Sequence, residues 1–339
     1  MMKRQRSSWW QLALETWREA PSRGRALRYY LEYVAVRVWT VLLCCFPIEF
    51  DLKAARLLGK LWWHGIAKNR RRALDHLRMA LGDRYPEERL REIGQRSFEH
   101  WAQVYLVELA LTPNLITPRT WARYVTLHEL TPALRELLKP RGVIMLTPHF
   151  GNFELLGFVL ARLGLPMTAL MRPLDNPLLN DFLLESREAG GIHLLYKKGA
   201  TESADNVVAG GGTLSFIADQ DAGRKAIFSN FFGRPASWYK SIGLLAMRHD
   251  VPIIVGHAAR RRDGFRYAVH VERIIQPEEW TAQPEPLQWI TDTFARAMED
   301  GIRRHPEQYL WIHRRWKSRP RAERNTVAVL VASSGMTRK

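Results

Sequence analysis

The chain has 339 residues, of which 46% are hydrophobic and 25% charged, and this composition excludes a wholly disordered protein. Thirteen Trp, ten Tyr and thirteen Phe residues supply a core that needs no structural metal or disulfide framework. The net charge of +17 predicts an anionic partner, and because no zinc-ligand spacing, basic zipper or RNA-binding sheet signature is present, lipid or an acidic carrier protein is favoured over nucleic acid.

Residues 1–50 are expected to form a basic, helical, membrane-associating segment. The stretch from Tyr29 to Ile48 is apolar, but Glu32 and Arg37 interrupt it. The uncharged run that remains is too short to cross about 30 Å of hydrocarbon. We therefore expect a tilted or surface-lying anchor, with a single span and an ordinary core helix as the alternatives.

The next part of the chain, residues 51–140, is predicted to be a helical layer, because apolar residues recur at intervals of three and four, as in Leu74, Leu77 and Leu81. From residue 141 onward, short β-branched runs alternate with helical stretches. We predict strands at 143–147, 167–171, 192–196, 213–218, 252–257 and 267–274, with helices at 155–163, 180–189, 241–248 and 289–304.

This alternation predicts an α/β fold with a central, mostly parallel sheet flanked by helices. The α/β core extends over residues 141–322 and joins the helical layer in a single domain, residues 51–322. Residues 323–339 are expected to form a loose tail.

A His and a Glu follow the first predicted strand, at the edge where ligands of α/β proteins gather. His149 and Glu154 are five residues apart, so they would not share one face of a continuous helix. We expect His149 in a loop, a bend at Gly151, and Glu154 on the first helical turn. There the carboxylate can orient the imidazole, leaving its second nitrogen as a general base for acyl transfer to an alcohol. The same spacing also fits an ordinary helix start in which Glu154 complements the dipole.

Four ordered motifs between about residues 30 and 320 resemble the lipid A biosynthesis acyltransferases, the lauroyl and myristoyl transferases of the lysophospholipid acyltransferase superfamily. The motifs are HFGNFE at 149–154, MRPLDNP at 171–177 with an Arg ten residues downstream, ADQDAG at 218–223 followed by FFGRPA at 231–236, and QYLWIHRRWK at 308–317, where Trp316 replaces the family's Phe.

By this resemblance His149 is the base and Glu154 its orienting partner. The resemblance also implies a set of substrate-binding residues: Asn152, Arg172, Asn176, Arg187, Asp219, Gln220 and Asp221. Arginine suits such a site because its guanidinium grips phosphate, which lipid A precursors and the donor's phosphopantetheine arm both present. The backbone amides of residues 150–153 are the expected donors to the oxyanion.

The activity implied by the resemblance is O-acyl transfer from an acyl carrier protein or coenzyme A thioester to a hydroxyl of a lipid A precursor or related glycolipid. No metal or redox cofactor belongs to that chemistry. The expected location is the cytoplasmic face of the inner (plasma) membrane, anchored by the N-terminal helix on an anionic surface. The adjacent Cys44 and Cys45 agree with a reducing, cytoplasm-facing setting.

Three alternatives remain open at this level. In the first alternative, the acceptor is another membrane glycolipid, such as a phosphatidylinositol mannoside. In the second, the enzyme is a hydrolase that passes the acyl group to water. In the third, the protein is a catalytically silent, basic membrane-binding protein.

Overall fold

The computed structural model describes residues 8–165, 167–171, 173–196, 200–261 and 264–321. The helices are α1 (Trp9–Glu19), α2 (Arg23–Leu43), α3 (Ile48–Gly65), α4 (Ala67–Leu81), α5 (Glu87–Gln103), α6 (Leu109–Leu115), α7 (Trp121–Tyr124), α8 (Thr131–Leu137), α9 (Phe153–Arg162), α10 (Pro177–Ala189), α11 (Ala200–Ala209), α12 (Lys240–His249), α13 (Pro277–Thr281) and α14 (Pro286–Arg304). A π-helix (Val104–Glu108) joins α5 to α6, and a 3-10 helix (Pro306–Gln308) follows α14.

The strands are β1 (Val125–Leu127), β2 (Val143–Thr147), β3 (Met167–Met171), β4 (Ile192–Tyr196), β5 (Thr213–Ile217), β6 (Ile227–Phe231), β7 (Arg234–Trp238), β8 (Ile253–Arg260) and β9 (Tyr267–Ile275). Seven of them form one sheet in the order β1-β9-β8-β2-β5-β3-β4. Within it, β8 and β9 are antiparallel and the other neighbours are parallel. This confirms the predicted α/β class with a mostly parallel central sheet.

The centre of the sheet explains why its strands are apolar throughout. All five residues of β2 are buried, as expected for a parallel strand covered by helices on both faces. The register pairs Thr147 at the end of β2 with Ile217 at the end of β5, and the Ala218 amide donates to the Thr147 carbonyl oxygen at 3.0 Å. The loops after these two strands therefore leave the sheet side by side.

The helical layer predicted over 51–140 is present as α3 to α8, with the short β1 inserted in it. Leu74, Leu77 and Leu81, the residues that carried the periodicity, are buried. Helices α3 and α5 approach closely at Gly59, where an added Cβ would lie 2.5 Å from the Glu99 Cα. The layer brings the end of α5 and the π-helix against the edge of the sheet that carries the predicted site.

The antiparallel hairpin β6–β7 was not predicted from the sequence. It contains the FFGRPA motif, and its tight turn is formed by Phe232 and Gly233, both with positive φ (54° and 75°). Two consecutive residues with positive φ are typical of the turn that matches strand twist in hairpins. The motif is therefore a turn signal as well as a family signature.

The N-terminal segment forms two helices, α1 and α2, followed by α3. No helix in the described part of the chain combines the length and apolarity needed to cross a bilayer. These three helices and the connection between α2 and α3 nevertheless leave many large apolar side chains exposed: Trp9, Trp10, Leu14, Trp17, Leu27, Leu31, Val34, Val36, Val38, Trp39, Val41, Leu42, Phe46, Phe50, Leu57, Leu58 and Leu61. The division into 1–50, 51–322 and tail stays a prediction, and residues 323–339 lie outside the described residues.

Candidate functional site

The loop after β2 carries His149 to a carboxylate that follows β5. Nδ1 of His149 lies 2.7 Å from Oδ1 of Asp219, and the same oxygen accepts a hydrogen bond from the His149 backbone amide at 3.0 Å. Asp219 is fully buried and His149 is 8% exposed. The parallel register of β2 and β5 is what brings the two residues together, because both follow directly on paired strand ends.

The charge state of Asp219 decides which nitrogen of His149 holds the proton. Burial alone would raise the pKa of Asp219, but the charge and hydrogen bond of His149, with His313 and Arg315, lower that pKa below its ordinary value. The carboxylate stays ionised and only accepts hydrogen bonds, so Nδ1 carries the proton. Nε2 is left with a free lone pair, the form required of a general base.

Nε2 of His149 faces the side chain of Gln220. Its neighbour is the exposed Gln220, whose Nε2 is 3.4 Å away. The buried Arg315 fixes the backbone of Gln220. Its guanidinium donates to the carbonyl oxygens of Gln220 at 3.4 Å and of Ser237 at 2.7 Å. The guanidinium of Arg315 lies 4.0 Å from the Trp238 ring centroid, so this part of the terminal basic motif packs in the core.

A second histidine, His313, lies close to the other carboxylate oxygen of Asp219. Its Nε2 is 3.6 Å from Oδ2 of Asp219 and 2.9 Å from the Tyr309 hydroxyl. Burial lowers the pKa of His313 to about 3, which keeps the imidazole neutral at ordinary pH. This residue lies within the quoted 308–317 motif, but its contact with Asp219 was not predicted.

The predicted contact between Glu154 and the imidazole is wrong. Glu154 does lie on the first turn of α9, but its carboxylate oxygens contact Arg187, one of them accepting from Nε at 3.0 Å. The position that Glu154 was expected to fill beside Nδ1 is occupied by Asp219. Five residues of sequence separation suggested a local pair, whereas the partner comes from the neighbouring strand.

The turn between His149 and α9 is held tightly. Gly151 has φ 56°, and a Cβ there would lie 1.9 Å from the Ala258 carbonyl oxygen, so this position requires glycine. Asn152 is the N-cap of α9: its Oδ1 accepts from the Leu155 amide at 2.9 Å. The predicted bend at Gly151 is therefore confirmed, and the role seen for Asn152 is to start the helix.

The expected oxyanion donors are mostly engaged within the protein. The amides of Phe150, Gly151 and Asn152 donate to the carbonyl oxygens of Pro148, Gln308 and Ala258 at 2.8, 3.2 and 3.0 Å. The Phe153 amide, at the first position of α9, is the remaining member of the predicted set.

Two further residues predicted to bind substrate hold the fold together. Asn176 caps α10 and donates through Nδ2 to the Tyr29 carbonyl oxygen and to Glu32, both at 3.0 Å, which ties α2 to the core. Oδ1 of Asp221 accepts from the Ser237 hydroxyl at 2.8 Å, and both its carboxylate oxygens accept from Ser318 at 3.0 Å. The predicted residue Arg172 lies outside the described residues.

An apolar cavity of about 100 Å³ lies between α9 and the β2, β5, β3 and β4 strands. Phe153 lines it, and the ring of this residue lies 5.6 Å from the His149 ring. Glu154 and Arg187 form its charged wall. The other lining residues are Met145, Leu146, Thr147, Leu156, Gly157, Met167, Ala169, Leu170, Ile192, Leu194, Ser215, Phe216 and Ile217.

Three of the site's side chains are close enough to be candidates for holding a metal ion. A nitrogen from His149, a nitrogen from His313 and an Asp219 oxygen all lie within 4.8 Å of one another. Two imidazoles and a carboxylate form a ligand set that suits a divalent transition metal. The same atoms also make the hydrogen bonds and close contacts described above.

Comparison with known proteins agrees with the motifs. Residues 19–318 match the sequence profile of the family described as bacterial lipid A biosynthesis acyltransferase. A lipid A biosynthesis acyltransferase of Haemophilus influenzae is 25% identical over 307 residues, which cover 87% of this chain and 93% of the relative.

Two relatives from Escherichia coli are also similar. A lipid A biosynthesis lauroyltransferase is 23% identical over 86% of this chain and 93% of its own length. A lipid A biosynthesis palmitoleoyltransferase is 28% identical over 56% of this chain and 60% of its own length. With the family profile matching most of its length, the chain belongs to the bacterial lipid A biosynthesis acyltransferases.

Proposed function

We propose that this acyltransferase moves a long-chain fatty acyl group from a thioester donor to a hydroxyl of a lipid A precursor, with His149 as general base and Asp219 as its orienting partner. The observation that carries the proposal is the 2.7 Å contact between His149 Nδ1 and Asp219, which makes Nε2 the acceptor nitrogen of the ring. Phe153, whose ring lies 5.6 Å from the imidazole, lines the apolar cavity. An aligned imidazole next to room for hydrocarbon suits acyl transfer to an alcohol.

The reaction proceeds by direct attack. Nε2 of His149 accepts the proton of the acceptor hydroxyl as its oxygen bonds to the thioester carbonyl carbon. The tetrahedral intermediate then collapses, the C–S bond breaks, and the imidazolium returns the proton to the departing sulfur. Asp219 stabilises the imidazolium that forms between these events. The steps are proton transfers, one addition at the carbonyl carbon and one elimination of the thiol from it, none of which changes an oxidation state. We propose that no metal or redox cofactor takes part; unchanged turnover after treatment with a chelator is the expected result.

The developing oxyanion needs a donor near the helix start. The Phe153 amide and the positive end of α9 serve this purpose in our proposal, since a helix N-terminus favours negative charge. Arg187 is a cation close to this helix start, but it forms an ion pair with Glu154, and both residues line the cavity. We propose that this pair borders the point where the acyl chain enters.

The cavity beside Phe153 is proposed to hold the acyl chain. Apart from Glu154, Arg187, Thr147 and Ser215, its lining side chains are aliphatic or aromatic, so a hydrocarbon chain gains free energy by leaving water there. The carrier of the donor thioester, acyl carrier protein or coenzyme A, stays open.

We also propose that α1, α2 and α3 lie on an anionic membrane surface, at the cytoplasmic face of the inner membrane. Their exposed Trp and Leu side chains suit the boundary between headgroups and acyl chains. On α3 the exposed Leu57, Leu58 and Leu61 are interleaved with the exposed cations Arg56 and Lys60, the pattern of an interfacial helix. Such a placement would set the site close to both lipid substrates.

The alternatives make different products. A hydrolase would release free fatty acid from the donor without any lipid present, whereas a transferase needs the glycolipid for turnover. The experiment is to incubate the purified protein with a radiolabelled long-chain acyl thioester and either a lipid A precursor, a phosphatidylinositol mannoside or buffer alone. Label moving to the lipid A precursor is expected; label moving to fatty acid in buffer, or to the mannoside in preference, would contradict the proposal.

A further inference from the structure

A buried carboxylate that takes no part in the proposed reaction contacts the turn between His149 and α9. Glu108 is the last residue of the π-helix between α5 and α6, and its side chain is fully buried. A charge in such a place requires partners. π-helical turns inside α-helices are also frequent at functional sites.

The first connection runs directly to the cap of α9. Oε2 of Glu108 accepts a hydrogen bond from Nδ2 of Asn152 at 3.0 Å and another from the buried Tyr267 hydroxyl. Oδ1 of Asn152 accepts from the Leu155 amide, while Nδ2 of Asn152 donates to Glu108. These two hydrogen bonds together fix which way the Asn152 amide faces. The rotamer of Asn152 and the start of α9 are thereby set together.

The second connection runs through two residues to the neighbouring carbonyl group. Oε1 of Glu108 is 2.6 Å from the Arg260 guanidinium, whose side chain is 10% exposed. Nε of Arg260 donates to Nδ1 of His100 at 3.2 Å, and Nε2 of His100 lies 3.1 Å from the Gly151 carbonyl oxygen.

Only one protonation state of His100 satisfies both of these contacts. Nδ1 must accept from Arg260, so Nε2 carries the proton and donates to Gly151. Burial, reinforced by the charge of Arg260, lowers the pKa of His100 well below its ordinary value, which agrees with a neutral ring. The two connections from Glu108 therefore end on adjacent residues of one turn.

We propose that Glu108, with Arg260 and His100, is a positioning group that fixes the Gly151–Asn152 turn and so holds His149 at the right distance from the acceptor hydroxyl. This inference rests on the function proposed for His149. Glu108 touches no reacting atom, and its effect passes through the turn two residues beyond the base.

The chain offers a matched control for the loss of a buried, ion-paired carboxylate. Glu136 on α8 is 7% exposed and pairs with Lys139 at 2.7 Å and Arg141 at 2.6 Å. It precedes β2, at the edge of the sheet opposite the site. Glu136→Gln and Glu108→Gln should both lower the melting temperature, so stability alone does not distinguish them.

Two measurements distinguish them below the melting temperature. In Glu108→Gln, kcat should fall by about a hundredfold with KM little changed, as expected for a misplaced catalytic group, and amide hydrogen exchange in residues 147–156 should accelerate. In Glu136→Gln, kcat and exchange in that segment should stay at wild-type values. Equal effects of the two variants would overturn the proposal.

A double variant, Glu108→Leu with Arg260→Met, tests whether the ion pair serves the fold alone. The double variant leaves no buried guanidinium unpaired, so its melting temperature should exceed that of Glu108→Gln even though Asn152, Tyr267 and His100 lose hydrogen-bond partners, while kcat stays low. Recovery of wild-type kcat would overturn the positioning role.

The roles proposed for Glu108 and His149 are tested separately. If His149→Ala is inactive while Glu108→Gln retains full kcat, this inference is wrong and the proposed function stands. If His149→Ala keeps wild-type activity, the proposed function itself is wrong, and only the accelerated exchange of residues 147–156 in Glu108→Gln would remain to be explained.

Discussion

Nδ1 of His149 lies 2.7 Å from Oδ1 of Asp219, although the two residues are 70 positions apart in the chain. The pair exists because β2 and β5 are parallel neighbours whose ends are in register. In the proposed mechanism the activity depends on that pairing, since the buried carboxylate decides which imidazole nitrogen is available to a substrate.

Asp219→Asn should therefore lower kcat by about a thousandfold or more, because the amide no longer holds the proton on Nδ1. Glu154→Gln leaves that contact intact and should cost much less in kcat, with its effect mainly on KM through Arg187. Steady-state kinetics on both variants make the comparison. If Glu154→Gln is the more damaging in kcat, then Glu154 and not Asp219 orients the base.

Asp221→Asn is the control for this loop. Its carboxylate binds Ser237 and Ser318, so the variant should lose some thermal stability but keep most of its kcat. A loss of kcat equal to that of Asp219→Asn would show that the loop conformation matters, independently of the charge beside His149.

Filling the apolar cavity should change the preferred donor. Ala169 lines the cavity from β3, and Ala169→Phe removes space from it. We expect kcat/KM to fall most for the longest acyl donors that the wild-type protein accepts and least for short ones. A uniform fall across a series of donor chain lengths would indicate that the acyl chain binds elsewhere.

The exposed face of α3 should contribute to membrane binding. Replacing both Leu57 and Leu61 with Glu should weaken binding to vesicles containing phosphatidylglycerol by at least about tenfold, because two side chains lose their apolar burial. Leu138→Glu is the control: this leucine is exposed as well, but it lies between α8 and β2, at the end of that strand away from His149. Equal loss in the two variants, measured by flotation, would contradict the proposed orientation.

Mild acid should destabilise the fold through buried histidines. Burial lowers the pKa of His257 and of His313 to about 3 each, whereas the unfolded chain has the ordinary value of about 6.5. Between these values the unfolded state binds more protons, so the free energy of unfolding falls as pH drops from about 6.5 toward 3, by up to about 1.4 kcal/mol per pH unit for each group.

The melting temperature should accordingly be lower at pH 5 than at pH 7.5, and His257→Gln should reduce that difference. The lowered pKa of Asp219 acts only at more acid pH, because its stabilising charge is lost as pH falls through its folded value. Identical melting temperatures at pH 7.5 and pH 5 would contradict the neutral, buried state of both histidines.

Much of the sheet follows from local sequence. The strands 143–147, 167–171 and 192–196 were predicted with the bounds that the structure has, because short apolar runs between glycines and helices are typical of buried parallel strands. The strands β1, β6 and β7 were missed. β1 has three residues, too few for a pattern, and the other two form a hairpin outside the main sheet.

Only those features of the site that lie within one short segment could be predicted from the sequence. The loop position of His149 and the bend at Gly151 follow from the spacing of residues within one segment. The partner of His149 does not, because it depends on which strands are neighbours, and sequence spacing alone pointed to Glu154. Glu108 was missed for a similar reason: its contact with Asn152 joins residues 44 positions apart and depends on how the helical layer packs against the sheet.

The most direct test is the rate of acyl transfer by His149→Ala under single-turnover conditions, with a long-chain acyl thioester and a purified lipid A precursor. If His149 is the base, the rate should fall by about a thousandfold or more in a variant that remains folded and still binds vesicles. Transfer at the wild-type rate would contradict the assignment of His149 as the base.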